Sequence, residues 1–368
     1  MKIYFIGQKG IPAKSGGVEK HVEALAVNLA TKGHEVFVYT RPNYTDRKIK
    51  QYRGVNLISR VSVPTKHLDA FSHTLFCSLD VLFRQADVIH FQAIGPASLL
   101  WLVKLLKPRT KIVFTFHCQD YYHQKWGGLA QKFLRFGEMV GCTLADEVIA
   151  VSRSLADYVA RKYNREARYI PNGVQVVDEI KDSKILAELN LEPGQYILAV
   201  SRLVRHKGLH YLIEAYNNLE LDQKLVIVGS GAHTDDYVEH VQRLATKNSK
   251  IVLAGERTGD DLATLFKNAK LFVQPSESEG LSIALLEAMA YGIPVLVSDI
   301  PENLEAIGSF GQTFQSRSID DLASKLKEGL NSENSQVVAA QALERVKQEY
   351  DWQNITDSTI AVYKPSQA

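Results

Sequence analysis

"LFVQPSESEGLSIALLEAMAYGIPVLVSD" (Leu271–Asp299) is the stretch whose reading decides the fold. Its two ends, "LFVQPS" (Leu271–Ser276) and "PVLVSD" (Pro294–Asp299), are short apolar runs of strand length, and a helix begins between them near Ser282. Near-continuous apolar strands separated by helices belong to parallel sheets covered on both faces. The helix N-terminus exposes unpaired amides and the positive end of the macrodipole, which attract anions. Gly280 lets the backbone approach a phosphate with no Cβ in the way. Glu279 precedes the helix, and Glu287 lies about a turn and a half inside it, within the apolar "ALLEAMA", where a carboxylate needs a partner. This spacing suits one carboxylate near a sugar and one near a ribose, with pyrophosphate between. The plainer alternative is a capped surface helix with incidental glutamates.

Working outward, the same rhythm fills the chain. The first half has "KIYFI", "EVFVYT" (Glu35–Thr40), "VNLISRV", "VIHFQ" (Val88–Gln92), "KIVFTFH" (Lys111–His117) and "EVIAVS" (Glu147–Ser152). The second adds "YILAVS" (Tyr196–Ser201), "KLVIVG" (Lys224–Gly229) and "IVLAG" (Ile251–Gly255). Between the first two strands, Val18, Val22, Leu25, Ala26 and Leu29 share a helical face, with Gly33 at the C-cap position. Two such series predict two doubly wound α/β domains, residues 1–172 and 173–349. They join near "RYIPNGVQVVDEIKDSK", where Pro171, Asn172 and Gly173 break the pattern. Two domains facing each other would set a ligand in the cleft between them. "YDWQNITDSTIAVYKP" (Tyr350–Pro365) reads as an amphipathic terminal helix within a last segment, residues 350–368.

Length and composition agree with this. The 368 residues suit two domains, and 45% hydrophobic with 23% charged content is that of a soluble globular protein. No apolar run is long enough to span a membrane, and with polar residues and glycine so soon after "KIYFI" no signal peptide is expected. Cys77, Cys118 and Cys142 form no CxxC pair, so reduced thiols and a cytoplasmic setting are expected. The net charge of +2 hides an asymmetry: residues 1–173 hold 25 Lys and Arg against 13 Asp and Glu, and the remainder 18 against 28. A basic first half points to an anionic partner such as a membrane surface or a pyrophosphate-linked acceptor. No nucleic-acid-binding motif appears, so nucleic acid is not expected.

Other constellations flank strand ends. In "AVSRLVRHKGLHYLIEAY" (Ala199–Tyr216), Arg202 and Lys207 can neutralise a pyrophosphate and support a departing diphosphate, with Arg205 and His206 exposed. "IVGSGAH" supplies Gly229 and Gly231, which read either as a tight turn or, with "AGERT" (Ala254–Thr258), as a border to a nucleotide. "TFHCQDYYHQKWGG" puts His117 at a strand's carboxyl end with Asp120 after it. His117, Cys118 and His123 supply too few ligands for a structural zinc site, so no metal is expected. "GQKGIPAKSGGVE" (Gly7–Glu19) is a Gly-rich loop, but Gly7, Gly10 and Gly16 do not keep the dinucleotide GxGxxG spacing, and no acidic residue ends "EVFVYTR". Its Gly16 and Gly17, ahead of a helix starting near Val18, read as a close-approach surface for a donor's diphosphate and sugar, or for an acceptor.

The Pro275–Val295 segment resembles the signature of glycosyltransferase family 4, retaining enzymes of GT-B fold, whose two glutamates are separated by seven residues as Glu279 and Glu287 are. "SRL…KG" is similar to a second signature of that family. "KGIP…GG" and "HCQD…KWG" resemble a bacterial polysaccharide subgroup often described as rhamnosyltransferases, with Cys118 replacing that subgroup's glycine. The resemblance implies that Glu279 contacts donor sugar or phosphate and Glu287 the ribose, while the amides of Gly280, Leu281 and Ser282 hold the distal phosphate. It implies Arg202 and Lys207 on the diphosphate, His117 and Asp120 near the transferred sugar, and Gly229 and Gly231 beside the nucleoside. It also implies a terminal helix that packs back on the first domain.

The expected activity is transfer of a sugar from a nucleotide-diphosphate sugar to a saccharide acceptor, lipid-linked and on the inner membrane face, in cell-surface polysaccharide synthesis. It is metal-independent and needs no cofactor, the nucleotide sugar being a co-substrate. A nucleotide-sugar epimerase and a non-catalytic sugar-nucleotide-binding protein stay open as rivals, separated by product analysis with donor alone and by Glu279→Ala.

Overall fold

The computed structural model describes residues 1–14, 16–65, 68–122, 127–176, 183–231 and 234–364. The chain divides into two compact units, Met1–Gly173 with the segment from Trp352 onward, and Val174–Asp351.

The first unit is built on one sheet: β1 (Lys2–Ile6), β2 (Glu35–Thr40), β3 (Gln51–Tyr52), β4 (Val55–Ser59), β5 (Val88–Gln92), β6 (Lys111–Phe116), β7 (Glu147–Ala150) and β8 (Arg168–Tyr169). Their order is β3-β4-β2-β1-β5-β6-β7-β8, parallel throughout except for the β3–β4 hairpin. Ile3, Phe5, Val36, Val38, Ile89, Phe91 and Val113 are fully buried, as strands covered on both faces require. The helix Gly17–Thr31 turns Val22, Leu25, Ala26 and Leu29 into the core. The helix Trp352–Tyr363 adds Ile355, Val362 and Tyr363 to the same core.

The second unit carries β9 (Tyr196–Val200), β10 (Lys224–Val228), β11 (Ile251–Gly255), β12 (Leu271–Gln274), β13 (Val295–Ser298) and β14 (Gln312–Phe314). All its pairings are parallel, in the order β11-β10-β9-β12-β13-β14. Strand order reverses between β9 and β12 here, and between β1 and β5 in the first unit. At such a reversal the loops leaving the carboxyl ends diverge and leave a crevice, where ligands of doubly wound sheets collect.

Two details differ from the sequence reading. Gly173 stays with the first unit, where a Cβ on it would meet the Trp352 indole at 2.6 Å. Tyr350 and Asp351 stay with the second: the Tyr350 carbonyl accepts from Val174 N at 3.0 Å, and Val174 bridges to Asp351. The units therefore begin and end one or two residues away from 172/173 and 349/350. The strands β3, β8 and β14 are also unforeseen, each being two or three residues long. The β3–β4 turn uses Arg53 and Gly54, both with positive φ, as a two-residue hairpin needs.

Candidate functional site

The reversal point of the second sheet gathers most of the expected site residues. After β9 the chain runs through Arg202 to a short 3-10 turn, Arg205–Lys207, and after β12 it runs through the Pro275–Leu281 loop. Lys207 Nζ from the first of these lies 2.5 Å from Glu279 Oε1 of the second. Both side chains are largely buried, 15% and 8% exposed, so the pair is shielded from bulk water. Ser276 Oγ donates to the same Glu279 oxygen at 2.6 Å. Arg202 is half-buried, and among the described residues its guanidinium has no hydrogen bond or ion pair. Arg205 is exposed, as expected, while His206 is half-buried and its carbonyl accepts from Glu277 N at 2.7 Å.

Ser282 caps the helix Ile283–Ala290, accepting from Leu285 N at 3.3 Å. Gly280 and Leu281, just ahead of it, are buried. Glu287 is half-buried on the same helix, one turn before Tyr291. Burial first, and the Glu287 charge second, push the Tyr291 phenol up to about 12.

Beneath the loop runs a buried polar network that sequence reasoning missed. Ser282 Oγ donates to Gln274 Oε1 at 2.6 Å, and Gln274 Nε2 donates to Asn303 Oδ1 at 2.6 Å. Asn303 Nδ2 reaches Ser298 Oγ at 3.0 Å, and Ser298 Oγ donates to the Ser276 carbonyl at 2.5 Å. The network joins the helix cap to the residue that holds Glu279. A readable signal existed: Gln274 and Ser298 are polar residues closing otherwise apolar strands, where a buried side chain must find partners.

The glycines here have backbone reasons. Gly208 adopts φ +68, and a Cβ on it would lie 1.9 Å from the Pro275 carbonyl oxygen. Gly229 adopts φ +146, and its Cβ would lie 1.8 Å from the Ser201 carbonyl oxygen, so the ends of β9 and β10 close tightly. Gly231 is exposed and bridges to Leu203.

In the first unit, His117 directly follows β6, and its Nε2 lies 2.7 Å from Oε1 of Gln92, the last residue of β5. His21 meets His117 edge-on with ring centroids 5.0 Å apart, and His90 bonds Tyr363 OH at 2.7 Å and Thr115 Oγ1 at 2.6 Å. Burial holds His117 and His90 well below the usual histidine range, with the neighbouring imidazoles adding to the effect. Burial lowers His21 to about 4. At neutral pH, then, His117 is uncharged, and its Nε2 shares a hydrogen bond with the Gln92 side-chain amide. Such a ring makes directed hydrogen bonds to hydroxyls but supplies no positive charge. Asp120 accepts from Cys118 Sγ at 3.1 Å. His123, Lys125 and Trp126 lie outside the described residues.

The Gly-rich loop after β1 contacts a side chain of its own helix. Gly16 has φ +99, and a Cβ there would lie 2.1 Å from Glu19 Oε2. Glu19 Oε1 accepts from Lys9 N at 3.0 Å, and Glu19 is buried. A carboxylate of the chain thus sits at the start of the helix Gly17–Thr31, next to Gly16. The need for glycine at 16 is internal: a left-handed backbone closing on that carboxylate. The expected residues are therefore grouped as Arg202, Lys207, Gly229, Gly231, Glu279, Gly280, Leu281, Ser282 and Glu287 in one unit, and Gly16, Gly17, His117 and Asp120 in the other.

Both halves of the chain match known families. Residues 15–177 match the model "Glycosyltransferase Family 4", and residues 181–345 match "Glycosyl transferases group 1". An uncharacterized glycosyltransferase of Methanocaldococcus jannaschii is 28% identical, over 99% of this chain and 98% of its own. The alpha-monoglucosyldiacylglycerol synthase of Streptococcus pneumoniae is also 28% identical, over 85% of this chain and 75% of its own. Among solved structures, Anabaena HepE in complex with UDP-glucose aligns with a TM-score of 0.82 at 19% identity, over 98% of this chain and 99% of that one. With two parallel-sheet α/β domains, paired cation and carboxylate at the reversal of the second sheet, and these matches across its length, the chain belongs to glycosyltransferase family 4 and is a transferase of the GT-B fold.

Proposed function

We propose that the protein transfers a sugar from a nucleotide-diphosphate sugar to a saccharide acceptor, with retention at the anomeric carbon. The observation that carries this reading is the buried Lys207–Glu279 pair at the carboxyl edge of β9 and β12, with Arg202, whose guanidinium has no partner among the described residues, on the same loop as Lys207. Two cations on the loop that leaves that edge suit a diphosphate. In this reading Glu287 binds the ribose, Glu279 the donor sugar or phosphate, and the amides of Gly280, Leu281 and Ser282 the distal phosphate. Gly229 and Gly231 border the nucleoside. HepE, whose complex holds UDP-glucose, supports a nucleotide-sugar donor.

Breaking the bond between the anomeric carbon and the phosphate oxygen leaves negative charge on that oxygen. Lys207 and Arg202 stabilise this charge as it develops, a role that protein cations can fill without a metal ion. The acceptor hydroxyl attacks from the face the phosphate leaves and gives its proton to the departing phosphate oxygen, which preserves the anomeric configuration. His117, neutral and fixed by Gln92, orients a sugar hydroxyl, with Asp120 beside it. Gly16 and Gly17 stay on the donor or acceptor path. The basic first unit receives the acceptor, a lipid-linked saccharide of cell-surface polysaccharide synthesis, on the cytoplasmic face of a membrane. A relative named for a glucosylated diacylglycerol supports a lipid acceptor. A rhamnosyl donor belongs to the same proposal, on the "KGIP" and "HCQD" motifs. Among the described residues, no helix is long and apolar enough to cross a membrane.

Thermal-shift titration with UDP, GDP, dTDP and ADP tests the donor site, followed by turnover with sugars on the best nucleotide. One nucleotide raises Tm, and Arg202→Ala or Lys207→Ala removes the shift. If no nucleotide binds and neither variant changes turnover, the donor assignment fails.

A further inference from the structure

The exposed apolar side chains of this protein are unevenly placed. Among the described residues, Leu304 and Val337 are the only large hydrophobic side chains of the second unit that are exposed, whereas the first unit exposes many. Most of these lie on three helices, Asp69–Leu82, Leu100–Leu106 and Gly128–Leu144, and on the residues that end them. The middle helix packs against both others, and Phe71 meets Phe133 edge-on at 5.7 Å across the outer two. Their outer sides present Phe83 (91% exposed), Leu105 (69%) and Leu129 (86%), together with Trp101, Phe136 and Met139.

Charge on these helices is one-sided. Their acids are Asp69, Asp80 and Glu138, and each is engaged: Asp69 with Arg41, Asp80 with Arg60 and Arg84, Glu138 with Lys162. Glu138 is fully buried. On the exposed stripe of Gly128–Leu144, Leu129, Phe136 and Met139 alternate with Lys132 and Arg135, and Arg109 is exposed just beyond Leu100–Leu106. A surface of insertable apolar groups framed by cations with no acidic partner among the described residues is complementary to anionic lipid, and it would repel a second copy of itself.

We propose that these three helices seat the protein on an anionic bilayer, with Phe83, Leu105, Leu129 and Phe136 entering the acyl boundary and Lys132 and Arg109 meeting headgroups. This deepens the proposed function, since it supplies the surface through which a membrane-borne acceptor is reached. It needs no turnover to be observed.

Co-sedimentation of the full chain with vesicles tests it, using phosphatidylcholine alone and phosphatidylcholine with phosphatidylglycerol. Binding is expected on the anionic vesicles, weaker but present at high salt, with a blue shift in tryptophan fluorescence. Leu129→Glu with Phe136→Glu lowers partitioning by about tenfold or more, and Lys132→Glu with Arg109→Glu does the same most strongly at low salt. Circular dichroism and the nucleotide thermal shift stay unchanged in both variants. Absent vesicle binding, or binding indifferent to both variants, overturns the proposal. So does concentration-dependent self-association that the same substitutions abolish, since the face would then be an interface between copies. If vesicles bind while no nucleotide does, the donor reading fails and the docking surface stands.

Discussion

Lys207 Nζ and Glu279 Oε1 lie 2.5 Å apart, although 72 positions separate them in the chain. The contact ties the loop after β9 to the loop after β12 at the point where strand order reverses. Lys207→Ala removes a cation and leaves a carboxylate, 8% exposed, with Ser276 Oγ as its remaining hydrogen-bond donor among the described residues. We expect kcat to fall by roughly 10²–10³, the usual loss when a group that stabilises developing charge is removed. Steady-state kinetics with the identified donor checks this. Lys207→Arg is not expected to rescue, since a planar guanidinium does not occupy the place of a compact ammonium. Wild-type turnover in the alanine variant would remove Lys207 from the chemistry.

Gly208 and Gly255 have nearly the same φ, +68 and +70, but different surroundings. A Cβ on Gly208 collides with the Pro275 carbonyl, whereas one on Gly255 meets nothing within 4 Å. Gly255→Ala should lose only the cost of a left-handed backbone, about 1–2 kcal/mol. Gly208→Ala should lose clearly more and also weaken nucleotide binding, because the Pro275 loop must move. Urea unfolding of the two variants side by side decides the matter. Equal losses would mean that the collision is relieved without consequence.

Asn303 touches none of the proposed donor groups, yet it joins Gln274 to Ser298 beneath them. Asn303→Ala strands buried polar partners, for an expected loss of about 1–3 kcal/mol in stability. Nucleotide affinity should fall as well, since Ser276 and Ser282 lose their common support. Calorimetric titration of the variant reads the second effect separately from the first. Unchanged affinity in a destabilised variant would confine the network to folding.

Acid should destabilise the protein in a defined window. Burial lowers His21, His73 and His210 to about 4. An unfolded histidine titrates near 6.5, so below that pH the unfolded chain binds protons that the folded chain refuses. Stability is therefore complete above about pH 6.5 and falls as pH drops toward 4, by up to about 3 kcal/mol per histidine. Urea midpoints across that range should slope steeply, and His73→Leu should flatten the slope. A level profile between these limits would contradict the buried neutral state.

The alternation of elements was legible because buried parallel strands are apolar on both faces: "EVFVYT" and "VIHFQ" coincide with β2 and β5 residue for residue. Edge strands of two or three residues carry no such signal. At the site, Ser282 could be read as the start of a helix from local spacing, and it is the cap. The Lys207–Glu279 contact was not legible, since neither loop shows which strand will become its neighbour. The loop before Gly17 suggested a place for a phosphate. What the spacing "GGVE" does not reveal is that Glu19 folds back on Gly16 and accepts from Lys9 N.

The hydrogen bond between His90 and Tyr363 joins residues 273 positions apart inside one core. On the ribosome, a nascent chain emerges with β1–β8 long before Trp352, so the half made first is left without its closing helix. The uninterrupted Val174–Asp351 unit has all its strands in hand earlier. The order of completion is thus the reverse of the order of synthesis, and a chain stalled short of residue 352 would carry an open apolar seam along the helix Gly17–Thr31.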